Sequence, residues 1–154
     1  MNPNIDALRG SVTVELSQEA RTFNWLLDSF TTETDGVLEA IAVSSDGLLI
    51  GVSSDLPRDS ADRLGAITSA MLSLAHGVSE SCPLGRPDKV VIELTEGFMQ
   101  VCTISAGCAL GVLATSQASL GTIAYETAVF ANRASEVISP QLVDELRYLV
   151  GYPP

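Results

Sequence analysis

Apolar positions recur along this chain at two periods, and the changes of period mark its elements. Behind Ser17, the residues Phe23, Leu26, Leu27 and Phe30 fall at helical spacing, with Glu19 in the first turn and Gly36 as a natural stop. The spacing predicts a helix over 18–33. Trp25 lies opposite that stripe, beside Arg21, Asp28 and Thr32. Two roles are open to it: a ring half-covered by a loop or by the N-terminal arm, or an anchor for a partner, since Trp is enriched at binding hot spots.

The stretch VLEAIAVSSDGLLIGVSS then reads as a hairpin. Val37, Ile41 and Val43 take one face and Leu38, Ala40 and Ala42 the other. Both faces are apolar, so the strand is expected to be covered on both sides. Asp46-Gly47 supplies the turn, and Leu48 to Ser53 the return strand. After the linker SDLPRDSADR a second helix is expected over about 60–79, with Leu64, Ile67, Met71, Leu74, Ala75 and Val78 turned inward. Its opposite face carries Asp62, Ala66, Ser69, Ala70, Ser73 and Gly77, small where a solvated helix normally carries Lys, Glu and Arg. Such a face lets another backbone approach, either the chain's own C-terminal segment or a second copy. The depletion of charge along the helix favours the second copy.

Three strands follow, Lys89–Leu94, Phe98–Ile104 and Cys108–Thr115, and their short glycine-containing links imply antiparallel neighbours. A third helix is expected over about 119–137, with Leu120, Ile123, Ala124, Thr127, Ala131, Ala134 and Ile138 inward. Ser139-Pro140, a cap followed by proline at the first helical position, opens a short amphipathic helix with Leu142, Leu146, Leu149 and Val150 on one side. The order is helix, hairpin, helix, meander, helix. That is an α+β architecture, a five-stranded antiparallel sheet with helices on both faces. Ahead of it Val12, Val14 and Leu16 permit an extended arm, and Tyr152-Pro153-Pro154 reads as a frayed tail.

Composition narrows the function. With 154 residues, 46% of them hydrophobic, the chain is most simply one domain burying roughly two-thirds of its unfolded surface. Eight Lys and Arg stand against 19 Asp and Glu, a net charge of −11. That field repels nucleic acid and anionic lipid and attracts a basic partner patch. The N-terminus lacks a secretion signal, and every apolar run is far below the ~20 residues of a membrane span. A cytoplasmic location without membrane insertion is expected. Cys82, Cys102 and Cys108 are odd in number and lack CxxC spacing. Cys102 and Cys108 are expected on neighbouring strands as packing thiols.

Groups that do chemistry are scarce. His76 is the single histidine, which defeats zinc-ligand patterns, and no GxSxG elbow supports a nucleophile triad. Lys89 is the single lysine, at a strand mouth, so the phosphate-binding GxxxxGK[ST] pattern is absent, as is GxGxxG. Glu33, Asp35 and Glu39 cluster near the hairpin as a solvated rim. No catalytic residue, metal or cofactor is expected, and the chain is not equipped as a conventional enzyme. It could still lend an arginine finger to a partner GTPase, for which Arg58, Arg63 and Arg86 lie in or next to loops.

Over about residues 17–138 the chain resembles the Roadblock (dynein light chain) domain family, more closely its bacterial MglB-like members that partner small Ras-like GTPases. The likeness lies in the helix followed by GVLEAIAVSSDGLLIGVSS, the Ala/Ser-rich second helix and the meander IELTEGFMQVCTISAGCALGVLAT. It implies a three-layer sandwich with sheet order 2-1-5-4-3, the second helix on one face and the first and third on the other. It implies a homodimer through the second helix and the edge strand after it. Here those would be Asp62, Ala66, Ser69, Ala70, Ser73 and Gly77 from the helix, with Val90, Val91, Ile92, Glu93 and Leu94 from the strand. The implied function is that of a non-catalytic regulator or adaptor of a GTPase, in modules that sometimes hold a sensor-kinase-like protein. Trp25, Arg58 and Arg63 are the candidate partner contacts. Residues 1–16, an arm, and 139–154, a short helix and tail, extend beyond the minimal domain. The competing expectation is a PAS- or profilin-like small-molecule sensor, with the three cysteines lining a pocket.

Overall fold

Among the described residues the chain forms nine elements: α1 (Gln18–Glu33), β1 (Val37–Val43), β2 (Leu49–Val52), α2 (Arg58–Ser81), β3 (Lys89–Leu94), β4 (Gly97–Ser105), β5 (Cys108–Thr115), α3 (Leu120–Ser135) and α4 (Pro140–Leu149). The computed structural model describes residues 15–53, 56–105 and 107–151. Most of the expected arm and the tail after Gly151 thus lie outside the described residues. The strands form one antiparallel sheet in the order β2-β1-β5-β4-β3.

The ends of α1 explain its position. The Ser17 hydroxyl accepts the Ala20 N–H at 3.1 Å, replacing a bond the first turn cannot make within the helix. Gly36 then turns the chain into β1 with φ 85°, and a Cβ there would fall 2.4 Å from the Ala118 Cβ. On this face of the sheet α1, α3 and α4 bury Phe23, Leu27, Phe30, Ile123, Phe130, Leu142 and Leu146 against Ala40, Leu110 and Val112. The Phe130 ring meets Phe23 at 6.1 Å and Phe30 at 5.8 Å between centroids. Phe130 was outside the inward stripe expected for α3, whereas Ile123, Thr127 and Ala134 are buried as expected.

On the other face α2 covers Ile41, Val43, Leu49, Met99 and Val101. Here the sequence expectation needs correction. The helix begins at Arg58, inside the stretch expected as a linker; Pro57, held at φ −56°, caps it and Asp59 lies in its first turn. Its buried residues are Ala61, Gly65, Thr68 and Met71, with Leu64 and Ala75 half-buried. Ile67, Leu74 and Val78 point outward, at 39%, 74% and 63% exposure. The reason is the closeness of the helix to the sheet. A Cβ on Gly65 would lie 3.2 Å from Leu49 Cδ2, and one on Gly111 of β5 would lie 2.5 Å from the Thr68 Oγ1. Only small side chains fit at Gly65 and Thr68, and Ile67, Leu74 and Val78 turn to the flank and the outside.

Leu38 also departs from expectation. The β1–β5 register slips between Val37 and Glu39, and Leu38 at that bulge is 56% exposed instead of covered.

Candidate functional site

The two edges of the sheet are treated differently. At the β2 edge, α4 packs against the strand and is tied down at three places. The Ser17 N–H and hydroxyl both donate to the Glu145 carboxylate, at 2.9 and 2.7 Å. The Arg147 guanidinium donates to Asp46 in the hairpin turn at 2.8 Å. Arg58, at the start of α2, donates to the Val150 carbonyl just past α4. The C-terminal helix therefore braces its own domain.

The β3 edge has no such cover. Its one strand partner is β4, and among the described residues no other strand pairs with its outer side. Ile92 and Leu94 are 40% and 61% exposed. An open edge with exposed apolar side chains is a template for another strand.

Beside that edge runs α2. From Leu64 to Ser79 it carries no Asp, Glu, Lys or Arg. Ala66, Ala70, Ser73 and Gly77 are exposed, and a Cβ on Gly77 would meet nothing within 4 Å. Toward β3 the apolar residues Leu74, Val78, Leu84 and Ile92 line an open groove of about 540 Å³. Leu84, in the loop after α2, is 83% exposed.

The residues expected at a self-interface divide as follows. Ala66, Ala70, Ser73, Gly77, Ile92, Glu93 and Leu94 are exposed; Asp62, Ser69, Val90 and Val91 are half-buried. Asp62 is engaged by Arg58 at 3.1 Å. Val91 packs into the core beneath α1 and α3, the face opposite α2. Ile67, Leu74, Val78 and Leu84 were missed. The signal was present in an apolar sector too wide for one buried face of a helix that is uncharged from Leu64 to Ser79.

Trp25 is 60% exposed on the outer side of α1, so no described element buries it. It is not brought together with Arg58 and Arg63, which lie at the start of α2 on the other face of the sheet. Arg63, Arg86 and His76 are exposed. The cysteines do not share a pocket: Cys82 lines the groove beside β3, Cys102 faces the α3 side, and Cys108 is buried on β5 next to β4. Burial, with the charge of Asp88 second, pushes the Cys102 thiol up to about 11, so it stays protonated. Among the described residues, no three His, Cys, Asp or Glu side chains are placed to hold a metal ion, and no helix is long and apolar enough to cross a membrane.

A family model for the Roadblock/LC7 domain matches residues 23–114. A Roadblock/LC7 domain from Streptomyces avermitilis is 30% identical, with 71% of this chain and 91% of that one covered and a TM-score of 0.67. Myxococcus xanthus MglB is similar at 13% identity, with 81% and 96% covered and a TM-score of 0.71. Schizosaccharomyces pombe profilin shares the fold more loosely, at 14% identity, 71% and 94% covered and a TM-score of 0.52. Among curated proteins none matches the chain. The matched segment runs from within α1 almost to the end of β5 and takes in the whole sheet, and the chain belongs to the Roadblock/LC7 domain family.

Proposed function

We propose that this protein is a homodimeric, non-catalytic regulator or adaptor that binds a small Ras-like GTPase in a bacterial signalling module. The observation that carries the reading is the bare β3 edge lying beside the outward-facing stretch of α2, which is uncharged from Leu64 to Ser79. Pairing two β3 strands about a two-fold axis would join two sheets and bring the two α2 helices together. The residues in contact would be those expected from the sequence: Asp62, Ala66, Ser69, Ala70, Ser73 and Gly77 on the helix, and Val90 to Leu94 on the strand. Ile67, Leu74 and Val78 add the apolar area that a stable contact needs.

The GTPase comes into the reading through the likeness to MglB-like members of the family. Residues 17–138 form the Roadblock-like domain and 139–154 a C-terminal extension, in which α4 is the brace. The protein works in the cytoplasm, by holding the GTPase or changing its nucleotide state. It lends no nucleophile or base. Arg58 is engaged by Asp62 and Val150, so Arg63 and Arg86 are the better arginines to enter a partner's site. Trp25, on the opposite face, is a contact for a second partner, such as a sensor-kinase-like protein.

The test is a calorimetric titration of the Ras-like GTPase encoded nearest to this chain, loaded with GDP or with a non-hydrolysable GTP analogue. Binding that depends on the nucleotide, and weakens with Arg63→Ala, is the expected result. No binding in either state would remove the GTPase from the account.

A further inference from the structure

On the face of the sheet away from α2, α3 leaves the β3 end partly uncovered. A trough of about 220 Å³ remains there between α3 and strands β3 and β4. Its α3 wall is built from Ala124, Ala128 and Ala131, small side chains that hold the space open. Polar groups from both layers line it: Asp88, Lys89, Gln100, Cys102, Thr127 and Asn132.

Gln100 is anomalous. It is 1% exposed in the middle of a core strand. Its Nε2 reaches the Thr127 Oγ1 at 3.4 Å, a long contact, and its Oε1 has no hydrogen-bond partner. Rotating the amide by half a turn exchanges the two ends and leaves the other one unpaired. An apolar side chain here would remove that cost. The second anomaly lies at the mouth. Asp88 and Lys89, the single lysine of the chain, both line the trough and are exposed. Among the described residues neither is in an ion pair.

We infer that this trough binds a small zwitterion, a molecule with an ammonium and a carboxylate a few bonds apart, as in a free amino acid. The ammonium meets the Asp88 carboxylate and the Gln100 amide oxygen. The carboxylate meets the Lys89 ammonium and the Asn132 amide, and the Thr127 hydroxyl turns to suit either. A ligand of no net charge escapes the repulsion that the −11 chain exerts on anions. The Gln100 amide is closed to bulk water, so the ligand reaches it as the weak Thr127 contact gives way. The Cys102 thiol completes the wall on the β4 side. The trough lies on the face of the sheet opposite α2, and Lys89 at the start of β3 borders both it and the groove beside α2.

Thermal unfolding of the full chain tests it, with glycine, β-alanine, 4-aminobutanoate and L-serine as probes and acetate plus methylammonium as the separated halves. At least one zwitterion should raise Tm by about 5 °C at a hundredfold excess over its Kd, and the halves should not. Gln100→Leu should raise Tm without ligand and abolish the probe's shift. Ala128→Leu, which fills the trough from an exposed helix position, should abolish the shift and leave the circular dichroism unchanged. No shift with any zwitterion overturns the inference, as does an equal shift from the separated halves or one that survives both substitutions. A lower ligand-free Tm for Gln100→Leu also overturns it, since the amide would then be satisfied within the fold.

Discussion

Gly111→Ala is the sharpest probe of how α2 meets the sheet. The added Cβ would lie 2.5 Å from the Thr68 Oγ1 and 3.2 Å from both Ile41 Cγ1 and Met99 Cε. The hydroxyl has nowhere to retreat, because Thr68 is fully buried and bonded to the Leu64 carbonyl at 2.8 Å. Overpacking of this kind costs about 1–3 kcal/mol, or roughly 3–9 °C in Tm for a chain of this length. Thr68→Ala removes the obstructing atom at a cost of its own. The double variant should therefore be more stable than the two single effects predict, by about 1 kcal/mol. Urea unfolding followed by circular dichroism, at one protein concentration, gives the four stabilities of the cycle. A Gly111→Ala variant within about 0.5 kcal/mol of wild type would refute the close contact. So would strict additivity in the double variant, for then Thr68 would not be what the new methyl meets.

Other consequences are more quickly checked. Phe130→Ala should cost about 3–5 kcal/mol in the same unfolding assay, since it opens the cluster with Phe23 and Phe30; a loss below about 1 kcal/mol would place the ring outside the core. The Glu145 carboxyl is held below its ordinary value of 4.5 by the Ser17 hydroxyl and then the Ser17 N–H, and Asp46 below 3.8 by the Ser44 hydroxyl and also Arg147. Both groups bind protons more weakly folded than unfolded, so their stabilisation is complete above those ordinary values and is lost as pH falls through the depressed ones. Unfolding midpoints should therefore decline below about pH 4.5, with a shallower decline for Glu145→Gln; an unchanged slope would mean that the α4 tie carries no linkage. Arg58→Ala should weaken the anchoring of α4 and raise amide exchange in residues 146–150 before it affects α1, as judged by hydrogen exchange. Uniform exchange across both helices would show that the tie is not local.

Local chemistry made much of the fold legible. Ser17 and Gly36 bound α1 at the residues observed, and Asp46-Gly47 turns the hairpin as expected. The rotation of α2 was not legible. Its apolar residues occupy more than one face, and hydrophobicity does not say whether the chain's own sheet or a partner covers them. The sheet side was chosen by the space above Gly111, which depends on residues more than forty positions away. The same holds for α4. Its ties from Glu145 to Ser17 and from Arg147 to Asp46 join residues 128 and 101 positions apart. The charged side chains of Glu145 and Arg147 are thus what fasten this helix. The Gln100 anomaly did leave a mark, a lone amide in the apolar strand segment FMQVC, but only the register under α3 shows that the amide is closed off from water.

Self-association through α2 and β3 is tested directly by multi-angle light scattering. The wild-type chain should elute at twice the 16.2 kDa of a single chain. Ser73→Arg, which adds a charge at an exposed position on α2, should elute as a monomer with unchanged circular dichroism. A wild-type monomer, or a dimer that tolerates the arginine, would contradict the proposed interface.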